Sequence, residues 1–422
     1  MRPNSGCPRK TGVLHTETNK KTTIHFPDGL NQKEGEIMKQ KTVITGLVMF
    51  LVVAILTGCG TQTTSKQGTI EPIKIGVVTC LTGKLSDYGM YQKTSVEMAV
   101  KEINDIGGVN GRKIETIILD DQSEPSVSVN ALKKLIYENK VDIVLGSPLS
   151  LASLAEMPVA EQAGMPLLVP VASSPTITKQ GAKWMVAQMA VPDDVALANA
   201  ATYAVRDLNL KRVAIIHENS DYGKGPAEAA AARVKELGGV VVAKETFNPA
   251  DTDFLVILSK IKATNPDAMI SMAQAVSAAP LVRQKSQVGL NVPLFVNQGN
   301  CSSVFIDQAG QFAEGTRSAS FWSPFATDAD SVKFVQNYVK FTGGKQPVQA
   351  CAGAYDGIYL IADAVKKLGT TDKAKLQDYI RNVKDFKGVA GVYSFNEDGR
   401  NSMAMTIIQV QNGAWKVIGK LN

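Results

Sequence analysis

The chain has 422 residues and a formal net charge of +6, but eight of its 45 Lys and Arg and only four of its 39 Asp and Glu precede Cys59. The remainder is therefore close to neutral and gives no reason to expect a nucleic-acid partner. His217 is the only histidine after Cys59, which excludes a His-rich metal site and a proton relay between two histidines.

The first predicted element is a secretory signal peptide that ends before Cys59. Lys39 and Lys41 precede an apolar run at 43–56, and Thr57-Gly58 separates this run from the cysteine. A basic flank, a short apolar run and small residues at the cut are typical of such a signal. The run has 14 residues, fewer than the about 20 that a membrane-spanning helix needs. The cysteine predicts a lipoprotein with its lipid on Cys59, and an ordinary signal peptide with a chance cysteine is the alternative.

The regions on either side of the signal peptide differ in composition. Residues 1–37 are polar and aperiodic, and Met38 stands where a signal peptide should begin, so we expect 1–37 to be upstream sequence wrongly assigned to the protein. The signal peptide then occupies 38–58. Residues 59–71 are rich in Thr, Ser, Gln and Gly and predict a flexible tether. The expected product is exported and lipid-anchored, at the outer face of the cell membrane or in the periplasm.

Short β-branched runs alternate with segments of helical length from residue 73 onward. The predicted strands are 73–78, 113–119, 141–145, 166–169, 213–216, 240–243, 268–272, 293–296, 404–410 and 414–418. The predicted helices are 90–106, 127–139, 151–156, 226–237, 254–263 and 278–288. This alternation predicts parallel sheets that are covered on both faces. Asn412-Gly413, between the last two strands, predicts a hairpin.

One four-residue motif occurs twice in the same context. The strand at 73–78 leads into Ser86-Asp87-Tyr88-Gly89, and the strand at 213–216 leads into Ser220-Asp221-Tyr222-Gly223. We interpret each motif as a loop between a strand and a helix. Loops after the carboxyl ends of parallel strands are where α/β sheets bind ligands. Two similar lobes would each contribute one loop, so we expect both tyrosines to face one cleft.

Several short segments of the chain resemble motifs of a known family. They are Ile73-Lys-Ile-Gly-Val-Val-Thr-Cys-Leu-Thr-Gly, Tyr88-Gly89, Asn104-Asp-Ile-Gly-Gly-Val-Asn-Gly-Arg, Asp120-Asp-Gln-Ser-Glu-Pro, Gly146-Ser147 with Ser150, Asp221-Tyr-Gly-Lys-Gly, and Arg283-Gln with Val288-Gly-Leu. With these segments in family order, the chain resembles the substrate-binding lipoproteins of branched-chain amino acid ABC transporters from residue 73 to about residue 418.

The resemblance implies an α/β fold of the type I periplasmic binding protein class. Two Rossmann-like lobes with parallel sheets would be joined by three hinge crossings, near 191–193, 319–322 and 394–396. The first lobe would comprise 72–192 and 320–395. The second lobe would comprise 193–319 and 396–422, including the C-terminal hairpin.

The resemblance also implies a set of ligand-binding residues. In the first lobe, Ser150, Ala172, Ser173 and Ser174 match the positions that hold a ligand carboxylate. Ser150 also precedes a predicted helix, whose free N–H groups attract an anion; capping of that helix is the alternative role.

Three aromatic residues complete this set. Tyr88 and Tyr222 match the tyrosines that contact the ligand from the two lobes, and the alternative for each is a half-buried aromatic that holds its own loop. Trp322 lies near a crossing and would wall the pocket, or else pack the hinge.

One departure from the family concerns the ligand's amine. Amino-acid binders place a Glu within Gly-Pro-Glu-Gly to receive the ammonium, whereas this chain has Gln298 within Val296-Asn297-Gln298-Gly299. A buried ammonium without a carboxylate partner is costly. An amine-free carboxylate or an amide therefore fits at least as well as an amino acid. Asp193 or Asp194 would substitute for the Glu, although an exposed acid at a helix start is the usual interpretation of such residues.

The implied function is capture of a small solute, amino-acid-like or a carboxylate or amide, by hinge closure and its delivery to an ABC permease. A ligand-sensing receptor on the same fold is the alternative. An enzyme is not expected, because no dinucleotide fingerprint, phosphate loop or nucleophile elbow is present. We expect no cofactor, no metal and a monomer whose partners are the ligand, the permease and the membrane. Cys80, Cys301 and Cys351 are expected to be small buried residues rather than to supply a Cys301–Cys351 disulfide.

Overall fold

The computed structural model describes residues 71–179, 186–249 and 251–421. The predicted upstream segment, the signal peptide, Cys59 and the tether up to residue 70 lie outside the described residues. No helix within the described ranges is long and apolar enough to span a membrane.

The first sheet is parallel, and its strands are mostly buried except for the edge strand β2. Its strands are β1 (Ile73–Thr79), β2 (Ile114–Asp120), β3 (Ile143–Leu145), β4 (Leu167–Val169) and β5 (Val186–Gln188). They lie in the order β2-β1-β3-β4-β5. The chain runs outward from β1 to β2 and then back to β3. The carboxyl ends of β1 and β3 therefore border the crevice in which sheets of this kind bind ligands.

The second sheet repeats this order and adds an antiparallel hairpin. The remaining strands are β6 (Arg212–Glu218), β7 (Val240–Phe247), β8 (Ala268–Met272), β9 (Leu294–Val296), β10 (Arg317–Ser320), β11 (Phe386–Gly388), β12 (Gly391–Tyr393), β13 (Met405–Gln411) and β14 (Ala414–Leu421). The sheet order is β14-β13-β10-β9-β8-β6-β7, parallel from β7 to β10, while β11 and β12 form a separate antiparallel pair. Asn412 and Gly413 have φ values of 56° and 70° between β13 and β14, as a type I′ turn requires. The predicted hairpin is confirmed.

Helices cover the two sheets and were predicted less completely than the strands. They are α1 (Ser86–Asp105), α2 (Pro125–Lys133), α3 (Ser150–Ala163), α4 (Thr176–Lys179), α5 (Asp193–Thr202), α6 (Asp221–Glu236), α7 (Leu255–Ala263), α8 (Ala275–Gln287), α9 (Ser303–Ala309), α10 (Ala329–Thr342), α11 (Gln349–Leu368) and α12 (Lys373–Arg381). Pi-helical turns continue α2 and α5, at Lys134–Glu138 and Tyr203–Asp207. A 3₁₀ turn, Gln298–Asn300, follows β9, and another, Gly310–Ala313, follows α9.

The chain passes between the two sheets at several points. It leaves the first sheet after β5 and enters the second lobe at α5. It returns after β10, since α11 packs on α1 and α12 on β5. It then passes from β12 to β13, which pairs with β10. Each lobe is therefore assembled from segments that are distant in the sequence.

The cysteines answer one open question. Cys80, Cys301 and Cys351 are all buried and free. Burial raises the pKa of the Cys301 thiol to about 12 and that of the Cys351 thiol to about 11. These residues therefore act as small apolar side chains, and the Cys301–Cys351 pairing is wrong.

Candidate functional site

The repeated Ser-Asp-Tyr-Gly motif forms the first turn of a helix in each lobe, so its interpretation as a loop is wrong. The reason is visible at Ser220, whose Oγ accepts the Gly223 N–H at 3.2 Å and so caps α6 ahead of Pro226. The glycine of each motif also has a packing role. A Cβ on Gly89 would overlap the Cys80 carbonyl at the end of β1, and one on Gly223 would overlap the Glu218 carbonyl at the end of β6. Each motif therefore brings its tyrosine to the carboxyl end of its sheet.

The two tyrosines approach the same backbone segment from opposite lobes. The Tyr88 hydroxyl donates to the Gly299 carbonyl oxygen at 3.3 Å. The Tyr222 hydroxyl accepts from the Asn297 amide nitrogen at 2.7 Å. A Cβ on Gly299 would lie 3.6 Å from the Tyr222 oxygen and 3.9 Å from the Tyr88 oxygen. The described structure is therefore a closed arrangement in which the two lobes meet at Gly299.

The polar residues predicted in the first lobe lie on two adjoining segments. Ser150 is the first residue of α3, and its side chain does not cap the helix. Its Oγ instead accepts the Ser174 N–H at 3.3 Å. This contact joins the N-terminus of α3 to the loop that carries Ala172 and Ser173. Ser150 and Ser173 are half-buried, while Ala172 and Ser174 are buried.

Asp193 lies at the edge of this group and is fully buried, so its interpretation as an exposed helix-start acid is wrong. Its side chain is 0% exposed. One carboxylate oxygen accepts from the Ser173 hydroxyl at 2.7 Å and the other from the Gln298 amide nitrogen at 3.0 Å. Burial raises the pKa of this carboxyl to about 7, against the lowering effect of its two hydrogen bonds. Asp193 begins α5 between Ser173 of the first lobe and Gln298 of the second, and this position removes its carboxylate from water.

Gln298 connects the two lobes at this point. Its Nε2 donates to the Val191 carbonyl oxygen at 2.6 Å as well as to Asp193. Its Oε1 is buried and has no hydrogen-bond donor in the described part of the chain. Gln298 therefore contacts the first crossing and hydrogen-bonds to Asp193, the residue expected to substitute for the family's Glu; whether either side chain binds the ligand stays a prediction.

Asp194 and Trp322 make different contacts. Asp194 is 8% exposed, which again contradicts an exposed acid, and it forms an ion pair with Arg400 at 2.5 Å. The Trp322 Nε1 donates to the Ser331 hydroxyl at 3.1 Å, and its ring packs edge-on against Phe334 of α10. These contacts of Trp322 are those of hinge packing, and its place in the pocket wall stays a prediction.

Two buried acids behind the site were missed from the sequence. Glu218 accepts from the Gln274 N–H at 3.0 Å and from the Ser220 hydroxyl at 3.1 Å, and so holds two segments of the second lobe together. Glu156 accepts from Ser128 at 2.5 Å and from the Ser147 N–H at 3.2 Å, directly behind the segment that leads to Ser150. The only sequence signal was their position, at the end of β6 and within an apolar helix.

The described residues contain no group of three or more His, Cys, Asp or Glu that could hold a metal ion. Two lobes of matching strand order, each bringing one tyrosine to a polar site between them, define a two-lobed solute-binding protein. Comparison with known proteins leads to the same class.

The sequence profile of the periplasmic binding protein family matches residues 72–414. The chain is 28% identical over 315 residues to an amino acid binding protein of Pseudomonas aeruginosa, covering 74% of this chain and 83% of that one. The leucine-binding protein LivK of Thermotoga maritima superposes with a TM-score of 0.76 at 29% identity, covering 83% of this chain and 99% of that one. LivJ of Streptococcus pneumoniae, a branched-chain amino acid transporter substrate-binding protein solved with isoleucine, gives 0.74 at 30% identity and covers 83% and 100%.

The chain belongs to the periplasmic binding protein family, among the substrate-binding proteins of branched-chain amino acid ABC transporters. The predicted fold class and family are confirmed. Members of this group bind solutes and are not enzymes, which agrees with the expectation from the sequence.

Proposed function

We propose that the chain is the extracytoplasmic, lipid-anchored binding protein of an ABC importer. It captures a small carboxylate-bearing solute between its lobes and delivers it to a permease. The observation that carries this proposal is the meeting of Tyr88 and Tyr222 at Gly299, because it encloses the polar site between the two lobes. The anchor is Cys59, and the protein acts as a monomer at the outer face of the membrane or in the periplasm.

The first-lobe segments supply the carboxylate site in this proposal. The N-terminus of α3 offers backbone N–H groups without helical partners, and the side chain of Ser150 leaves them uncapped. Ser173 and Ser174 lie on the adjoining loop, with Ala172 buried beside them. A carboxylate bound here would accept hydrogen bonds from hydroxyl and backbone N–H groups, so its binding requires no cationic side chain.

Closure gives the permease a signal that ligand is present. The Tyr88 contact with Gly299 joins the lobes only when they are shut. A ligand that contacts both lobes stabilises the shut form by its differential affinity for the two forms. The permease would then bind the shut, loaded form.

Thermal unfolding of the purified protein tests solute capture. The panel contains the common amino acids, their amine-free acids and their amides. A ligand at a hundredfold excess over its Kd adds about 2.7 kcal/mol of stability. The same ligand should reduce the radius of gyration in X-ray scattering as the lobes shut. A panel without any midpoint shift would contradict the proposal, and a shift without compaction would contradict capture by closure.

A further inference from the structure

Two buried acids in the first lobe hold the segment that leads to the proposed carboxylate site. Asp121, Ser147 and Glu156 are each 0% exposed. The Ser147 hydroxyl donates to Asp121 Oδ2 at 2.5 Å, and the Ser147 N–H donates to Glu156 Oε2 at 3.2 Å. Among the residues that the structure describes, no ion pair includes either acid. Two buried carboxyl groups that share one serine without a cation do not both ionise readily, so this pair retains a proton near neutral pH.

Every polar atom of Ser147 helps to position the start of α3. Besides its bonds to the two acids, its Oγ accepts the Leu149 N–H at 3.2 Å and its carbonyl oxygen accepts the Ser153 hydroxyl at 2.7 Å. Ser150, the first residue of α3, lies between these two partners in the chain. The position of Ser147 therefore determines where the free N–H groups at the N-terminus of α3 point.

Glu156 is the acid that keeps the proton of the pair. Burial raises its pKa to about 8, although hydrogen bonds from Ser128 and Ser147 lower it, and the charge of Asp121 adds to the rise. The carboxyl group is also packed directly against the backbone of the segment, since a Cβ on Gly146 would lie 2.7 Å from its Oε2. A charge on Glu156 would therefore lie immediately behind the carboxylate site.

We propose that Glu156 is a positioning residue for the ligand carboxylate and that it acts in its protonated form. The inference rests on the proposed function, because it concerns the carboxylate site assigned there to the N-terminus of α3. A neutral Glu156 holds Ser147 without adding a charge. An ionised Glu156 would repel a bound carboxylate, and like charges repel most strongly where water is excluded. Affinity for a carboxylate ligand should therefore fall as Glu156 ionises.

Calorimetry on the full chain at pH 7 and pH 9 tests the inference. The probes are the common amino acids and their amine-free acids, all of which carry a carboxylate. With a pKa of about 8, the protonated fraction of Glu156 falls from about 0.9 at pH 7 to about 0.09 at pH 9, so the affinity should fall about tenfold. At pH 8 the expected loss is only about twofold. Glu156→Gln keeps an acceptor for Ser147 and does not ionise, so it should lack this loss.

The ratio of the two affinities at each pH removes every other titration that the wild type and Glu156→Gln share. Glu161→Gln makes the same change further along α3 and is the matched control, which should keep the tenfold loss. Asp121→Asn removes the neighbouring negative charge, so its affinity should fall at a lower pH than that of the wild type.

Carbon-13 NMR of the side-chain carboxyl groups gives a readout that needs no ligand. One glutamate of the wild type should titrate near pH 8 and be missing from Glu156→Gln. Titration of this group near the ordinary value of about 4.3, or a loss of affinity that persists in Glu156→Gln, would overturn the inference and leave solute capture intact. If no probe binds at pH 7, the carboxylate site of the proposed function fails and the inference fails with it. If Glu156→Gln does not fold, the wild-type NMR titration and the shift in Asp121→Asn still decide.

Discussion

The affinity for an amine ligand should depend on pH, because we expect the buried carboxyl of Asp193 to receive the ammonium group of the ligand. The ammonium group favours the ionised carboxylate, whereas burial in the unliganded site favours the protonated form and raises its pKa to about 7. Binding therefore expels a proton, and affinity rises with pH until Asp193 is ionised before the ligand arrives. For an ordinary exposed Asp, the same rise would be complete at far lower pH.

The magnitude follows from the ionised fraction. With a pKa of about 7, this fraction is about 0.9 at pH 8 and about 0.01 at pH 5, a decrease of about 90-fold in apparent affinity. At pH 7 about half a proton is released for each ligand bound. Amino acids keep their ammonium and carboxylate charges over this range, so the ligand does not contribute to the slope.

The other titratable groups that face Asp193 would not produce this dependence of affinity on pH. Tyr88, Tyr222 and Cys301 also face it, but burial raises the pKa of Tyr88 and Cys301 to about 12 and that of Tyr222 well above its usual value, so all three stay neutral. Asp194 is adjacent and paired with Arg400.

Calorimetry from pH 5 to 8, in buffers of different ionisation enthalpy, gives both the affinity and the protons released. Asp193→Asn should bind weakly with no slope. Asp356, another buried acid that accepts from the N–H groups of Val389 and Ala390 in the first lobe, supplies the control, and Asp356→Asn should keep the wild-type slope. A wild-type affinity that does not change with pH, or an unchanged slope in Asp193→Asn, would refute this reasoning.

Three further predictions concern packing, stability and closure. Gly223→Ala should cost about 1–3 kcal/mol or more in urea unfolding, because its Cβ overlaps the Glu218 carbonyl; Gly225→Ala, whose Cβ meets only Pro175 at 3.5 Å, is the control and should cost nothing. Burial raises the pKa of Glu156 to about 8, so its contribution to stability falls as pH rises from about 4.5 to 8; Glu156→Gln should gain on the wild type between pH 5.5 and 8.5, and an unchanged difference would contradict this. Tyr88→Phe should lower the affinity for every ligand by about 2- to 12-fold in calorimetry, since it removes one interlobe hydrogen bond; a loss confined to some ligands would show that Tyr88 contacts the ligand instead.

The strands were predictable because their signal is local. Buried strands appear as short β-branched runs, and each of the ten predicted runs coincides with a strand, whereas β5, β10, β11 and β12 were not predicted. The helices at 329–381 were not predicted. The pattern was nevertheless present: α10 buries Ser331, Phe334 and Tyr338 and α12 buries Leu376, Gln377 and Ile380, in each case one face at helical spacing, so these helices were overlooked and not hidden. The start of α6 was predicted five residues late, because Pro226 was taken as the first helical residue whereas Ser220 is the cap.

The polar contacts of the site could not be predicted from the sequence. The tyrosine motifs and the serines were named from the repeat and from family positions. The burial of Asp193 depends on how the Ser173 loop of the first lobe meets Gln298 of the second, and the orientation of Gln298 depends on a carbonyl more than one hundred residues away. Both are properties of the closed arrangement. The sequence therefore indicated Asp193 and Gln298 as candidates but could not predict that they hydrogen-bond to each other.

The two lobes share a topology and a motif, but their tyrosines have different partners, and this difference assigns their roles. The Tyr88 hydroxyl donates its proton to the Gly299 carbonyl of the other lobe, so this hydrogen bond stabilises the closed form. Tyr222 accepts from Asn297 of its own lobe, so its hydroxyl proton remains available to donate to a ligand. In the proposed function, the first lobe would anchor a carboxylate that many solutes share. We therefore expect discrimination between solutes to come from groups such as the Tyr222 hydroxyl that would meet the ligand only on closure.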